Sequence, residues 1–335
     1  MSAPERLLAI ETSCDETAAA VVRRDGTVES SIIHSQIDMH AEWGGVVPEL
    51  ASREHALWIV GVIDHALSTA GVTAADLSAL AVTVGPGLPG SLAVGVSAAT
   101  SLGLGWNLPV VAVNHLEGHL FSAELGEKPV EYPAVILLVS GGHCMLVHAP
   151  ERGEYRLLGQ TRDDSVGEAY DKIARELGLG YPGGPVLDRL AAKGDDRYAF
   201  PRPLAAQGYD FSFSGLKTAV RRRVEAGAFD LEDLAASFAA ACCDVLLIKL
   251  LRAIEECGPK SAVVVGGVAA SPILRNRLQA EIPPLGVELM LAPLKYATDN
   301  AAMIGAAAWW HLERGDAAGP ALGIHPRLAL LSAGG

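Results

Sequence analysis

The chain has 335 residues, half of them hydrophobic and 19% charged, which excludes a disordered or fibrous polypeptide and leaves room for two domains with separate cores. A formal charge of −13 excludes indiscriminate binding of nucleic acid, so a polyanion would need a local basic patch or a second subunit. Five cysteines with no C-x-x-C pair argue against a zinc ribbon or disulfide framework and for reduced thiols in a cytoplasmic protein.

The opening MSAPERLLAI lacks an apolar stretch long enough for a signal peptide before Glu11. Residues 7–33, LLAIETSCDETAAAVVRRDGTVESSII, predict strand, tight turn, strand, a hairpin at Asp25-Gly26, and a third strand. Pro48 opens a helical run that Gly71 closes. From Leu77 to Asn114 no side chain is charged, which imitates a membrane span. The GPGLPG stretch (85–90) interrupts it, and neither half reaches the ~20 apolar residues a span requires. The expectation is a buried strand, a glycine turn and a buried helix, followed by a strand at 109–113, with no membrane.

The NHLEGH stretch (114–119) sets His115 and His119 four apart, which stacks them on one helix face. Two imidazoles in that register can share a divalent metal if a third ligand comes from elsewhere, or can be ordinary core residues. A zincin protease is excluded. Leu116 follows the first histidine where H-E-x-x-H needs glutamate, and Gly118 fills the glutamate slot of the inverted motif.

Around Ala134 the strand grammar of the N-terminus returns in AVILLVSGGHCMLVHAPERGEYRLLGQ (134–160), an internal repeat that suggests two related domains. Glycine turns follow at SGG (140–142), YPGGP (181–185) and GGVAAS (266–271), and with GPGLPG they favour a nucleotide ligand. No P-loop or G-x-G-x-x-G is present. Carboxylates accompany these turns: Glu11, Asp15 and Glu16 at the first hairpin turn, Asp171 on a helix, and Asp188 just past YPGGP. Strand 261–267 leads to a helix opened by SPILRNRL, with Pro272 near its first position. Asp299 stands where an N-cap would start the last helix. Alternating strands and helices make the chain α/β with mostly parallel sheets.

Taken together, ETSCDET, GPGLPGSL, NHLEGH, LLVSGGH, SVGEAYDK, YPGGP, FSFSGLKT, GGVAAS and ATDNAAMIG, in this order from residue 10 to beyond 300, resemble one family. It is the transferase subunit of tRNA threonylcarbamoyladenosine synthesis, and the bacterial form is the nearer match. The resemblance implies two repeated domains of the actin, Hsp70 and sugar-kinase class (RNase H-like) around a cleft, residues 1–131 and 132–299. The second domain would carry a helical insertion, and the C-terminal helix (300–335) would pack back on the first. It also implies transfer of threonylcarbamoyl from threonylcarbamoyl-adenylate to N6 of the adenosine 3′ of the anticodon in tRNAs reading codons that begin with A, with release of AMP.

Carried over residue by residue, the resemblance assigns His115, His119 and Asp299 as ligands of one divalent metal, Fe2+ or Zn2+, gathered across an interdomain gap. Archaeal relatives offer a tyrosine where Leu138 stands, and a leucine cannot coordinate. The adenylate would meet Leu138, Val139, Ser140, Gly141, Gly142, Asp171, Gly184, Asp188 and Ser271, the last replacing the family's asparagine. Asp15 or Glu16 would position or deprotonate the adenine amine. Lys217, Arg221, Arg222 and Arg223 on one helix, with Arg275 and Arg277 on another, are candidate tRNA contacts or a solvated face. A paralogous actin-like subunit and an ATPase subunit are the implied partners. The rival readings are a sugar kinase or chaperone-like ATPase, a small-molecule carbamoyltransferase, and a non-catalytic scaffold.

Overall fold

A computed structural model describes residues 5–316 and 322–330. Two sheets organise it, one in each of two compact units, Met1–Lys128 with Asp299–Gly335 and Pro129–Thr298.

In the first unit the strands are β1 (Arg6–Glu11), β2 (Glu16–Arg23), β3 (Val28–Ser35), β4 (Ala79–Gly85) and β5 (Val110–Asn114), in spatial order β3-β2-β1-β4-β5. β1, β2 and β3 pair antiparallel through tight turns, whereas β4 and β5 join β1 in parallel. The parallel pairs need helical crossovers, and the chain supplies them. α2 (Pro48–Ala70) follows the short α1 (Ile37–Ala41), and α3 (Pro89–Trp106) links β4 to β5. Pro48 stands in the first turn of α2, and Gly71 ends it at φ 66° with its N–H on the Leu67 and Ser68 carbonyls. The uncharged 77–114 stretch is thus strand, turn, helix and strand. α4 (His115–Phe121) starts directly from the end of β5.

The second unit repeats the plan. β6 (Ala134–Val139), β7 (Cys144–Ala149) and β8 (Arg156–Gln160) pair antiparallel, and β9 (Ser261–Val265) and β10 (Glu288–Leu291) extend the sheet in parallel. The order β10-β9-β6-β7-β8 is the first sheet's order over again, so the internal repeat read from the strand grammar is real. Between β8 and β9 come α5 (Val166–Glu176), α6 (Gly183–Ala191), α7 (Ser214–Glu225) and α8 (Leu231–Cys257), then α9 (Pro272–Glu281) precedes β10. Among the described residues α8 is the one helix long and apolar enough to cross a membrane, and most of its apolar window is buried inside this unit. A helix apolar on nearly every side is what a core element looks like. All five cysteines are free thiols.

The last helix, α10 (Ala301–Arg314), packs on the first unit's sheet, where Trp309 Nε1 donates to the Val22 carbonyl at 3.1 Å. Asn300, not Asp299, caps it: the Asn300 side chain accepts the Met303 N–H at 2.9 Å. The cap expected at Asp299 therefore falls one residue later, and Asp299 groups with the first unit. The helix expected over 300–335 ends instead at Arg314, where Gly315 takes the left-handed φ that stops it; residues 322–330 are turns and irregular chain, and 317–321 and 331–335 lie outside the described residues.

Gly266, at the end of β9, has φ +93°, and a Cβ there would lie 2.3 Å from the Val139 carbonyl oxygen at the end of β6. Both strain and a backbone collision oppose a side chain. Gly266→Ala is expected to destabilise the second unit by about 1–3 kcal/mol, read as an earlier thermal unfolding transition. An unchanged midpoint would mean that the two strand ends are not held this closely.

Candidate metal centre and nucleotide-binding turns

Three parallel strands of the first sheet end on one buried carboxylate. Glu11 closes β1 and is fully buried. Thr83 of β4 donates to its Oε2 at 2.6 Å, the Ser13 N–H donates to its Oε1 at 2.5 Å, and His115 Nδ1 lies 3.0 Å from Oε2. With the proton on Nδ1, the His115 ring is oriented by Glu11 and turns Nε2 away, toward Asp299 Oδ1 at 3.6 Å. His119, one turn further along α4, brings its Nε2 to 3.1 Å from the same oxygen. The two imidazoles meet edge to face with centroids 4.8 Å apart. Asn114 ends β5 and caps α4 with its Oδ1 on the Leu116 and Glu117 N–H groups, which sets the helix phase that aligns both rings.

One donor atom from each of His115, His119 and Asp299 lies within 4.8 Å of the others. Ligands about 2.0–2.1 Å from a tetrahedral ion stand about 3.4 Å apart, and the two separations to Asp299 bracket that value. The donor set, two imidazole nitrogens and one carboxylate oxygen, suits a divalent transition metal. Glu11 behind His115 is the carboxylate partner that metal-bound histidines usually have. The buried Nδ1 of His119 has no hydrogen-bond partner. The residues present fit the group. All three belong to the first unit, so the sequence expectation of a carboxylate reached across an interdomain gap is not how the cluster is built.

Electrostatics agree. Burial opposes a charge on His115, yet the Asp299 and Glu11 carboxylates overcome it and lift the imidazole to about 9. Burial works against the Glu11 anion as well, but the His115 charge and hydrogen bond hold its pKa below the ordinary value. Without a metal, a proton supplies the positive charge this locus requires.

Glu16, beside Asp15 at the start of β2, feels the charge of Asp299. Burial, the Asp15 carboxylate and then Asp299 push Glu16 well above the usual carboxylate range, and the Glu16 and Asp15 carboxyls hydrogen-bond to each other. Glu117, the glutamate between the two histidines, points elsewhere, and His311 of α10 meets its Oε2 at 2.8 Å. That pair ties the helix carrying the histidines to the helix that Asp299 precedes. Sequence reading missed Glu11 as the histidine's partner, although its place at the end of β1 marked it.

In the second unit the Ser140–Gly142 and Gly266–Ser271 turns follow the carboxyl ends of β6 and β9, where α/β sheets bind ligands, whereas the YPGGP turn opens α6 against α5. Leu138 and Val139 are 0% exposed, backbone included, so neither presents a surface to a ligand. The Ser140–Gly142 turn is pinned by Ser165, whose hydroxyl donates to the Gly141 carbonyl at 2.5 Å while accepting the Glu168 N–H at the start of α5. Asp171 accepts the Gly183 N–H at 2.7 Å, so one of its oxygens anchors α6. Asp188 and Ser271 come together: burial raises the Asp188 pKa and the Ser271 hydroxyl bond opposes it, while Asp188 Oδ1 stays buried without a partner. Ser271 also caps α9. A Cβ on Gly141, Gly142 or Gly184 would meet nothing within 4 Å, and none has a left-handed φ.

The basic residues are mostly committed. Lys217 pairs with Asp164, Arg221 meets Glu225 at 3.1 Å, and Arg223 lies over Tyr198 at 4.5 Å. Arg275 donates to the Ala269 and Ala292 carbonyls, and Arg277 bonds Asp244 and Glu281. Of the four on α7, Arg221 and Arg222 are exposed.

A family model described as tRNA N6-adenosine threonylcarbamoyltransferase matches residues 27–306. Proteins of that name from Thermosynechococcus vestitus and Halalkalibacterium halodurans are 50% and 47% identical to the chain. The alignments cover 97% of this chain and 96% of the first protein, and 98% of this chain and 98% of the second. Among solved structures, component A of the (R)-2-hydroxyglutaryl-CoA dehydratase of Acidaminococcus fermentans superposes with TM-score 0.57 at 16% identity, over 92% of this chain and 99% of that one. Full-length HypF gives 0.64 at 13%, over 94% of this chain and 57% of that one. These two show the fold alone, the actin, Hsp70 and sugar-kinase class. With half its residues identical to a relative matched nearly end to end, the chain belongs to the tRNA N6-adenosine threonylcarbamoyltransferase family.

Proposed function

We propose that the chain transfers a threonylcarbamoyl group from threonylcarbamoyl-adenylate to N6 of the adenosine 3′ of the anticodon, in tRNAs reading codons that begin with A, releasing AMP. The observation that carries this is the near full-length identity to transferases of that name. The rival kinase and scaffold readings leave the buried histidine pair, with Asp299 and Glu11 around it, without a purpose.

The two units divide the work. In the first, His115, His119 and Asp299 would hold a divalent cation, Fe2+ or Zn2+, and such an ion would supply Lewis acidity to the carbamoyl group. Glu11 keeps the His115 ring in the tautomer that frees Nε2. The exocyclic adenine amine is a weak nucleophile and must lose a proton as it attacks. Asp15 accepts that proton, and Glu16, holding its own proton above the usual range, donates a hydrogen bond to Asp15 and steadies the pair. AMP is already a good leaving group, so no covalent enzyme intermediate is needed.

In the second unit, the Gly141 and Gly142 N–H groups face the adenylate's anionic oxygens, the Ser140 N–H being held by the His143 carbonyl, and Gly184 lets α6 approach it. The unpartnered Asp188 Oδ1 accepts a ribose hydroxyl. Ser271, already bonded to Asp188 and to its own helix, contributes less than the asparagine of the family. With few uncommitted basic residues and a net charge of −13, the chain binds tRNA weakly alone. A paralogous actin-like subunit and an ATPase subunit complete the tRNA site, and the reaction is cytoplasmic.

The direct test is reconstitution with threonylcarbamoyl-adenylate, unmodified tRNA and the partner subunits, followed by nucleoside analysis. N6-threonylcarbamoyladenosine with equimolar AMP is expected, and its absence overturns the proposal. For the metal centre, His115→Ala or Asp299→Ala should abolish stoichiometric metal in the purified protein. Because the metal-free His115 titrates at about 9, it is protonated at neutral pH, and ligation must expel that proton. Metal affinity should therefore climb about tenfold per pH unit up to about 9, with close to one proton released in calorimetry across buffers of different ionisation enthalpy. Buffer-independent heats would refute the assignment. For the carboxyl pair, Asp15→Asn should cut kcat by about 10²–10⁴-fold, while Glu16→Gln, which keeps a donor, should outperform Glu16→Ala. Normal rates in Asp15→Ala and Glu16→Ala together would remove both residues from the mechanism.

A further inference from the structure

The turn that carries Asp15 is held by its backbone. Its three successive carbonyls each accept a hydrogen bond from a different part of the chain: Ser13 from the Leu88 N–H at 2.8 Å, Cys14 from His55 Nε2 at 3.0 Å, and Asp15 from the Gln36 N–H at 3.1 Å. The first and third donors are main chain. His55, on α2, is the principal side-chain donor, with only the longer Ser91 hydroxyl contact at 3.4 Å beside it on the same carbonyl.

His55 is itself locked. It is fully buried, as are Thr17 and His40, and Gln36 is nearly so. Nδ1 of His55 lies 2.7 Å from the Thr17 hydroxyl and 3.4 Å from Gln36 Nε2, both able to donate, so Nδ1 is the acceptor and Nε2 carries the proton. Gln36 Oε1 lies 3.1 Å from His40 Nε2, and His40 Nδ1 accepts the Val47 N–H at 3.3 Å. The donors all run one way, from Val47 through His40, Gln36 and His55 to the Cys14 carbonyl, and each bond polarises the next. Burial keeps the His55 pKa below its ordinary value, which preserves the neutral ring.

Four buried polar side chains aligned on one main-chain oxygen are expensive unless that oxygen must stay in place. We infer that His55 is a positioning residue for the transfer reaction, fixing the Ser13–Asp15 turn so that the Asp15 carboxyl is held at the angle the incoming amine requires. His55 touches neither substrate nor metal in this role. The inference rests on the proposed part of Asp15 in the reaction.

The test compares wild type, His55→Leu and His55→Gln in the full metal-loaded chain with its partner subunits. His55→Leu removes the donor but keeps an apolar body of similar size, whereas glutamine places an amide N–H near the position of Nε2. His55→Leu is expected to lose about 10- to 100-fold in kcat with KM for the adenylate within about threefold, at unchanged metal content. His55→Gln is expected to recover most of that loss. Nitrogen-15 spectra of the wild type should show a neutral His55 protonated at Nε2. Unchanged kcat in His55→Leu, equal loss in both variants alongside a lowered unfolding midpoint, or an Nδ1-protonated ring would each overturn the inference. A wild type that modifies no tRNA would instead defeat the proposed function, and the tautomer measurement would still stand on its own.

Discussion

The contact between His115 Nδ1 and the Glu11 carboxylate orders much of the first unit. β1, β4 and β5 are neighbours in parallel, and all three deliver a group to that buried oxygen pair: Glu11 itself, the Thr83 hydroxyl, and the first residue of the helix after β5. A buried carboxylate is tolerable only with a positive partner and satisfied lone pairs. The strand ends must therefore stay in register with one another, and positive charge must stay at His115, as a proton or as the field of a cation. The geometry of the proposed metal centre follows from that demand. Once Glu11 fixes one face of the ring, the other nitrogen points at Asp299, and the helical register brings His119 alongside.

The fold was legible because its signals are local. The Asp25-Gly26 hairpin and the Gly153 turn sit between alternating or apolar runs, and the glycine at each has the positive φ that such turns use. The same grammar read twice implied two similar sheets, and both have the same strand order. His115 and His119 were legible for the same reason, since i and i+4 on a helix leave no freedom about which face they share. Asp299 was harder. Aspartate and asparagine both cap helices, and propensity cannot separate adjacent positions in TDNAA. Only the resemblance pointed to Asp299 as a ligand, and in the structure Asn300, not Asp299, caps the helix.

What the sequence concealed were partners far away along the chain. The run at 217–223 looks like a basic face, yet Asp164 and Tyr198, which occupy Lys217 and Arg223, stand 53 and 25 residues upstream by their numbering. Arg277 likewise finds Asp244, 33 residues away. Charge patterning sees i, i+4 neighbours such as Arg221 and Glu225 and is blind to the rest. Helix α8 escaped for the opposite reason. Its apolar residues run nearly all the way round, so no single face stands out, and burial on every side is a tertiary fact.

The glycines finish the separation of folding from function. Gly266, Gly167 and Gly183 have a reason internal to the chain, because a Cβ on any of them would strike backbone atoms at 2.3, 2.7 and 2.8 Å. Gly141, Gly142 and Gly184 have none: no atom lies within 4 Å of where a Cβ would stand, and their φ values suit any residue. Each glycine without a folding role still costs about 0.5–1 kcal/mol of chain entropy relative to alanine. Nothing in the folded chain offsets that cost at these three positions. Gly61 and Gly105, within α2 and α3, share that openness, so open space alone marks no ligand, and the second unit's three glycines count only with what stands beside them. Gly141 and Gly142 follow β6 at the end of the second sheet, and Gly184 lies in the first turn of α6, the helix that carries the partnerless Asp188 oxygen; in the proposed function these are the places a nucleotide's phosphate and ribose would approach.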